Sequence, residues 1–161
     1  MTLIIRDAVP ADAATIDRFV RELARYERLE HEVGATPADF AAALFAPDPK
    51  VFALICESDG QAVGFCVWFL TFSTFQGRHG IYVEDVFVDP AHRGRGIGGA
   101  IFRHLAARAV REGWGRMEWS VLDWNEPAIS FYRSIGAEPI DGWHRERLTG
   151  EALRALAAAA Q

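Results

Sequence analysis

The chain has 161 residues, 50% hydrophobic and 24% charged, with a formal net charge of −5 at pH 7. That length suits one domain, 1–161, with a sizeable core, and the acidic balance argues against a nucleic-acid-binding face, which would be basic. No stretch approaches the ~18 apolar residues of a membrane span, and the opening MTLIIRDAVP lacks a signal peptide's apolar centre, so a cytoplasmic protein is expected.

Leu3-Ile4-Ile5 reads as a short strand. Ile16, Phe19, Val20, Leu23 and Ala24 recur at helical spacing, which predicts an amphipathic helix from about Ala11 to Leu29. Thr36-Pro37-Ala38-Asp39 opens a second helix: threonine caps, proline suits the first turn, and aspartate favours the positive end of the dipole. That helix should stop near Phe45, before Pro47 and Pro49. Val51–Glu57 and Val63–Leu70 predict a hairpin turning at Asp59-Gly60. Cys56 then falls opposite Val63, and alternation sends the thiols of Cys56 and Cys66 to opposite faces. With no disulfide and no metal-ligand spacing, they read as buried thiols in a reducing compartment.

A loop over 73–78 precedes a third strand, Gly80–Val88, which Pro90 ends. Helical period resumes over Gly96–Glu112 through Ile97, Ile101, Leu105 and Ala109. Arg116–Leu122 predicts a strand, and Glu126–Ser134 a short helix stopped by Gly136. Ala137–Ile140 and Trp143–Leu148 predict two more strands, and Thr149 can cap an alanine-rich helix that frays towards Gln161. The order is that of one mixed α/β (α+β) domain with a largely antiparallel sheet.

The segment Arg93-Gly94-Arg95-Gly96-Ile97-Gly98 lies between a predicted strand and a predicted helix. Glycines there let the backbone turn its N–H groups towards a ligand, and the helix start adds a positive dipole end. Arg93 and Arg95 can charge-pair with further phosphates. Gly94, Gly96 and Gly99 also fit G-x-G-x-x-G, but no run of βαβ units surrounds them, and no G-K-[ST] follows to make a P-loop. A phosphate cradle is favoured over a plain flexible turn.

Arg93-x-x-Gly96-x-Gly98 resembles the Q/R-x-x-G-x-G/A signature of the GCN5-related N-acetyltransferases, the GNAT superfamily. Asn125-Glu126-Pro127-Ala128-Ile129-Ser130-Phe131-Tyr132 and the following Gly136-Ala137 resemble a second segment of that family. ELARYE, YVEDVFV, RGRGIG and WNEPAISFY together resemble the diamine, polyamine (spermidine/spermine) and thialysine acetyltransferase branch, from Ile5 to about Leu148. The resemblance implies a central sheet flanked by helices, with a splayed strand pair holding acetyl-CoA, and no metal. It also implies direct acetyl transfer to a small-molecule amine in a homodimer.

On the same resemblance, Glu84 is the general base, acting through water, and Tyr132 the general acid that protonates the departing thiolate. Backbone groups of Val86, Phe87 and Val88 meet the pantetheine arm, and Arg93, Gly94, Arg95, Gly96, Ile97 and Gly98 meet the pyrophosphate. Asn125 and Phe131 lie beside the cofactor, although Asn125 equally suits a helix cap. Tyr26, Glu27, Phe75, Glu84 and Asp85 are the amine-site candidates. Asp85 points away from Glu84 in a regular strand, so a bulge is needed to bring both to one site. Ser73 and Thr74 stand where the polyamine branch tends to carry an acid, which leaves a shorter diamine or a lysine-like amino acid open. Two other classes remain: a CoA-binding sensor without transfer activity, and a dinucleotide oxidoreductase. The sensor needs neither Glu84 nor Tyr132; the oxidoreductase needs an ordered series of βαβ units.

Overall fold

Pro10 starts a 3-10 turn, Pro10–Asp12, that leads directly into the first helix, α1, Ala13–Glu27. The computed structural model describes residues 2–160, so the fraying expected at Gln161 lies outside the described residues. Strand β1, Leu3–Asp7, precedes the turn. Arg6 of β1 grips Asp12 at 2.7 Å and Glu57 at 2.6 Å, while Asp12 accepts the Val9 N–H at 2.8 Å. The Arg6 bond holds the Asp12 carboxyl below its ordinary range. Ile16 and Phe19 on the buried face of α1 are fully enclosed, each contributing roughly 1.5–3 kcal/mol by burial. The helix is shorter than the predicted Ala11–Leu29 because Arg28 adopts a left-handed φ of 61°, and Leu29 N–H turns back to Ala24 O. Helix α2, Pro37–Leu44, begins as expected: Thr36 Oγ1 accepts the Asp39 N–H, and Asp39 accepts the Thr36 N–H at 2.8 Å.

The sheet continues with β2 (Phe52–Ser58), β3 (Gln61–Ser73) and β4 (Arg78–Val88), and closes with β5 (Met117–Trp119). The strand order is β1-β2-β3-β4-β5, antiparallel except for the parallel β4–β5 pair. Helix α3, Ile97–Glu112, buries Ile97, Ile101 and Leu105 against one face, with Leu54, Trp68, Ile81 and Val83. Helices α1 and α2 cover the other face, where Phe19 stacks on Phe65 at 5.6 Å beside Ile55 and Phe87.

Register corrects the cysteine expectation. Cys56 pairs with Gly64, not Val63, because Val63 is an extra residue bulged out of β3 between Ala62 and Gly64. The one-residue slip reverses the face of everything beyond it. Cys56 and Cys66 therefore share the α3-side core as free, buried thiols, and burial pushes the Cys56 thiol up to about 12.

A compact unit ends at Leu122, and a second begins at Asp123. In the second unit, α4 covers Glu126–Ser134 as predicted. Asn125 caps it by accepting the Ala128 N–H at 3.4 Å, and Gly136 follows with φ 87°. The strands expected at Ala137–Ile140 and Trp143–Leu148 do not form. Their alternating apolar residues need a strand edge to pair with, and this unit holds no strand among its described residues. Trp143 is left 78% exposed. Helix α5, Gly150–Ala158, starts after Thr149, whose side chain makes no capping hydrogen bond. No helix is long and apolar enough to cross a membrane among the described residues.

Candidate active site

Strand β4 changes character halfway along. Ile81, Tyr82 and Val83 pair with Met117, Glu118 and Trp119 of β5, and the pairing stops there. On the β3 side, Trp68 faces Val83 and Val67 faces Asp85, so Glu84 is an extra, bulged residue. A bulge bends its strand and increases local twist. Here it coincides with the point where β4 loses β5, and Asp85 to Val88 pair with β3 alone. β5 is correspondingly shorter than the expected Arg116–Leu122. This is the splayed strand pair that the sequence resemblance implied.

The same bulge brings the two acids together. Val83 and Val86 both pack on the α3 side, which leaves the two residues between them turned to the α1 side. Burial, then the charges of Glu84 and Glu27, push the Asp85 carboxyl up to about 6. Glu27, the last residue of α1, is itself raised by burial. Glu84 stands exposed at the cluster's rim. The Asp85 carboxyl is thereby poised to exchange a proton close to neutrality.

Beyond β4, Asp89 accepts the Ala91 N–H at 2.9 Å and starts a tight turn over Pro90–His92. Gly94 and Gly96 follow with φ of 74° and 77°. A Cβ on either would meet nothing within 4 Å, so the left-handed backbone, rather than crowding, requires glycine there. Gly96 is the N-cap of α3, and the first N–H groups of that helix have no acceptor within it. Together with the helix dipole they form an anion site suited to phosphate. The Ile97 side chain is buried in the core, so only its backbone is left for a ligand. Val86, Phe87 and Val88 likewise commit their side chains to the two cores.

Arg93 sits differently from the expectation of a phosphate ligand. Its Nε donates to Val88 O at 2.9 Å, and its guanidinium lies 5.0 Å from the Tyr26 ring and 5.4 Å from the Phe87 ring. Arg95 is exposed in the loop. Phe75 is 98% exposed in the β3–β4 turn. Roughly 20 Å of strand separates the start of β4 from Glu84, so Phe75 stands apart from the acids. In the second unit, Tyr132 is buried on α4 with its ring 5.4 Å from Phe131, and Asn125 caps the same helix. Among the described residues, no group of three or more His, Cys, Asp or Glu side chains is placed to hold a metal ion.

The Acetyltransferase (GNAT) family model matches residues 16–137, which contain the bulged strand, the glycine loop and α4. The thialysine N-epsilon-acetyltransferase of Bos taurus is 37% identical, with 96% of this chain and 97% of that protein covered. The L-ornithine N5-acetyltransferase of Arabidopsis thaliana is 29% identical, with 94% and 86% covered. An integron cassette protein from the mobile metagenome of V. cholerae superposes with a TM-score of 0.81 at 27% identity, with 98% of each chain covered. The chain belongs to the acetyltransferase (GNAT) family, and it is an acetyltransferase.

Proposed function

We propose that the chain transfers acetyl from acetyl-CoA directly to a primary amine of a small molecule: a diamine, a polyamine or a lysine-like amino acid. It does so in the cytoplasm as a homodimer, with 1–161 serving as one N-acetyltransferase domain; the family match crosses the boundary between the two compact units. The observation that carries the reading is the acid cluster at the β4 bulge, Glu84 and Asp85 with Glu27 from α1. A cluster of acids next to an anion-binding helix start suits an ammonium beside a phosphorylated donor. The names of the relatives support the amine class: thialysine and ornithine are both amino acids with a side-chain amine.

An alkylammonium with a pKa near ~10.4 must lose a proton before its nitrogen can attack a thioester. Glu84, exposed at the rim, takes that proton through a water molecule, and Asp85 and Glu27 hold the ammonium beforehand. Tyr26 walls the same side. The new N–C bond forms as the C–S bond breaks, and Tyr132 gives its phenolic proton to the departing sulfur. Val86, Phe87 and Val88 offer backbone groups to the pantetheine arm. Gly94, Arg95, Gly96, Ile97 and Gly98 hold the pyrophosphate, and Asn125 and Phe131 also bind the cofactor. A part for Phe75 requires the homodimer.

The test is CoA release measured over lysine, ornithine, thialysine, short diamines and spermidine. Turnover with at least one of them, saturating in amine, is expected. Tight CoA binding without turnover on any amine would overturn the small-amine reading and favour the binding-only module.

A further inference from the structure

The first arginine of the glycine loop is oriented away from the job its motif suggests. Arg93 leaves the loop and spans the gap between the C-terminal turn of α1 and the unpaired half of β4. One face contact is Tyr26, the residue before Glu27; the other is Phe87, two residues past Asp85. Its Nε–H is spent on Val88 O, at the end of the same strand. Among the described residues, these contacts are aromatic and backbone, with no carboxylate partner. Arg93 is therefore not a counter-ion for the acids. It is an exposed planar cation lying over two rings, a role that lysine, a hydrated point charge, does not reproduce.

The position matters because the acid cluster is built from two elements. Glu27 comes from α1, and Glu84 and Asp85 come from β4. The burial and like charge that raise Asp85 exist only while the end of α1 is held against that strand. α1 ends at Glu27, with Arg28 already in a left-handed conformation, so Tyr26 and Glu27 lie in the final turn of the helix. We infer that Arg93 is a positioning residue for the amine site: it ties the end of α1 to β4 and so sets the spacing of Glu27 from Asp85. The loop's backbone amides serve the phosphates without it. The inference rests on the acetyltransferase reading for its functional consequence, but the contact itself can be tested without catalysis.

Arg93→Lys and Arg93→Gln separate the two roles. Lysine keeps a charge for phosphate and loses the stack and the Nε bond; glutamine loses the charge as well. With a positioning role, both variants raise the amine KM about fivefold, while the CoA dissociation constant measured by calorimetry stays within about twofold. With a phosphate-ligand role, Arg93→Lys behaves as the parent and Arg93→Gln weakens CoA alone; that result overturns the inference. A double-mutant cycle of Arg93→Lys with Tyr26→Ala, read by thermal unfolding of the full chain, checks the contact itself. Coupled changes in Tm are expected, and additive ones overturn the inference. An inactive parent that still shows coupling would place the failure in the small-amine reading, not in the contact.

Discussion

The two halves of β4 share one strand and little else. From Arg78 to Val83 the strand is an ordinary sheet interior, paired with β3 on one side and, from Ile81, with β5 on the other. From Glu84 to Val88 it keeps only β3, and its other edge is left without a strand partner. A single inserted residue makes the difference. It ends one pairing, reverses the faces, and moves an acid from the α3 side to the α1 side. The first half commits the buried Ile81 and Val83 to the core, and the second half is where the proposed chemistry lies.

If the second half is chemical, the largest effect should come from the general acid proposed on α4. Tyr132→Phe keeps the buried ring and removes only the hydroxyl. It should lower kcat by about 10²–10⁴-fold, with CoA affinity changed little, as measured by steady-state kinetics and calorimetry. An undiminished kcat would make Tyr132 structural. Glu84→Gln comes next, with kcat/KM lowered about 10²-fold and folding unaffected, because Glu84 is an exposed bulge residue. The corresponding change in the first half, Val83→Ala, should do the reverse. It removes buried methyls, lowers the unfolding free energy by about 1–3 kcal/mol in a denaturant titration, and spares kcat in the folded fraction.

The pH profile sharpens the same contrast. With Asp85 poised near 6, the rate constant kcat/KM should fall on the acid side with a midpoint close to that value. In Asp85→Asn the group that titrates near that value is gone, so the acid limb should leave that position. A limb that stays in place would mean that Asp85 is not the titrating group.

Much of this was legible in the chain. The apolar positions 81 and 83 continue at 86 and 88, a step of three where a regular strand allows two, and the extra residue lies inside Glu84-Asp85. The motif residues of α4 and the glycine loop also sit on the elements that their spacing predicted. Other features depend on partners that no local pattern names. The Val63 bulge has no comparable slip of period, because Gly64 interrupts the alternation, and so the cysteines were assigned to opposite faces. Trp143–Leu148 alternates like a strand, but a strand also needs an edge to join. Arg93 carries a phosphate motif, yet its contacts come from Tyr26, 67 positions earlier, and from Phe87, both in elements that only folding brings beside it.

The smallest effect is also the one with the least intuitive sign. Burial, then the charges of Glu84 and Glu27, raise the folded-state pKa of Asp85 from the ordinary 3.8 to about 6. Between those two values the unfolded chain has released the proton and the folded chain still holds it. Stability contributed by the protonated carboxyl is thus complete below about 3.8 and is lost as pH rises through about 6, beyond which the loss is constant. At neutral pH the ionised group is a net cost to folding, on the order of 1–2 kcal/mol after allowing for solvent screening. Asp85→Asn removes that ionisation, so it should raise Tm by a few degrees at pH 7 and by almost nothing at pH 4, while activity falls. Equal shifts at both pH values would mean that packing, not charge, is responsible. A fall in Tm at pH 7 would mean that the carboxylate is satisfied where it stands, and that the second half of β4 carries no strain for the sake of its chemistry.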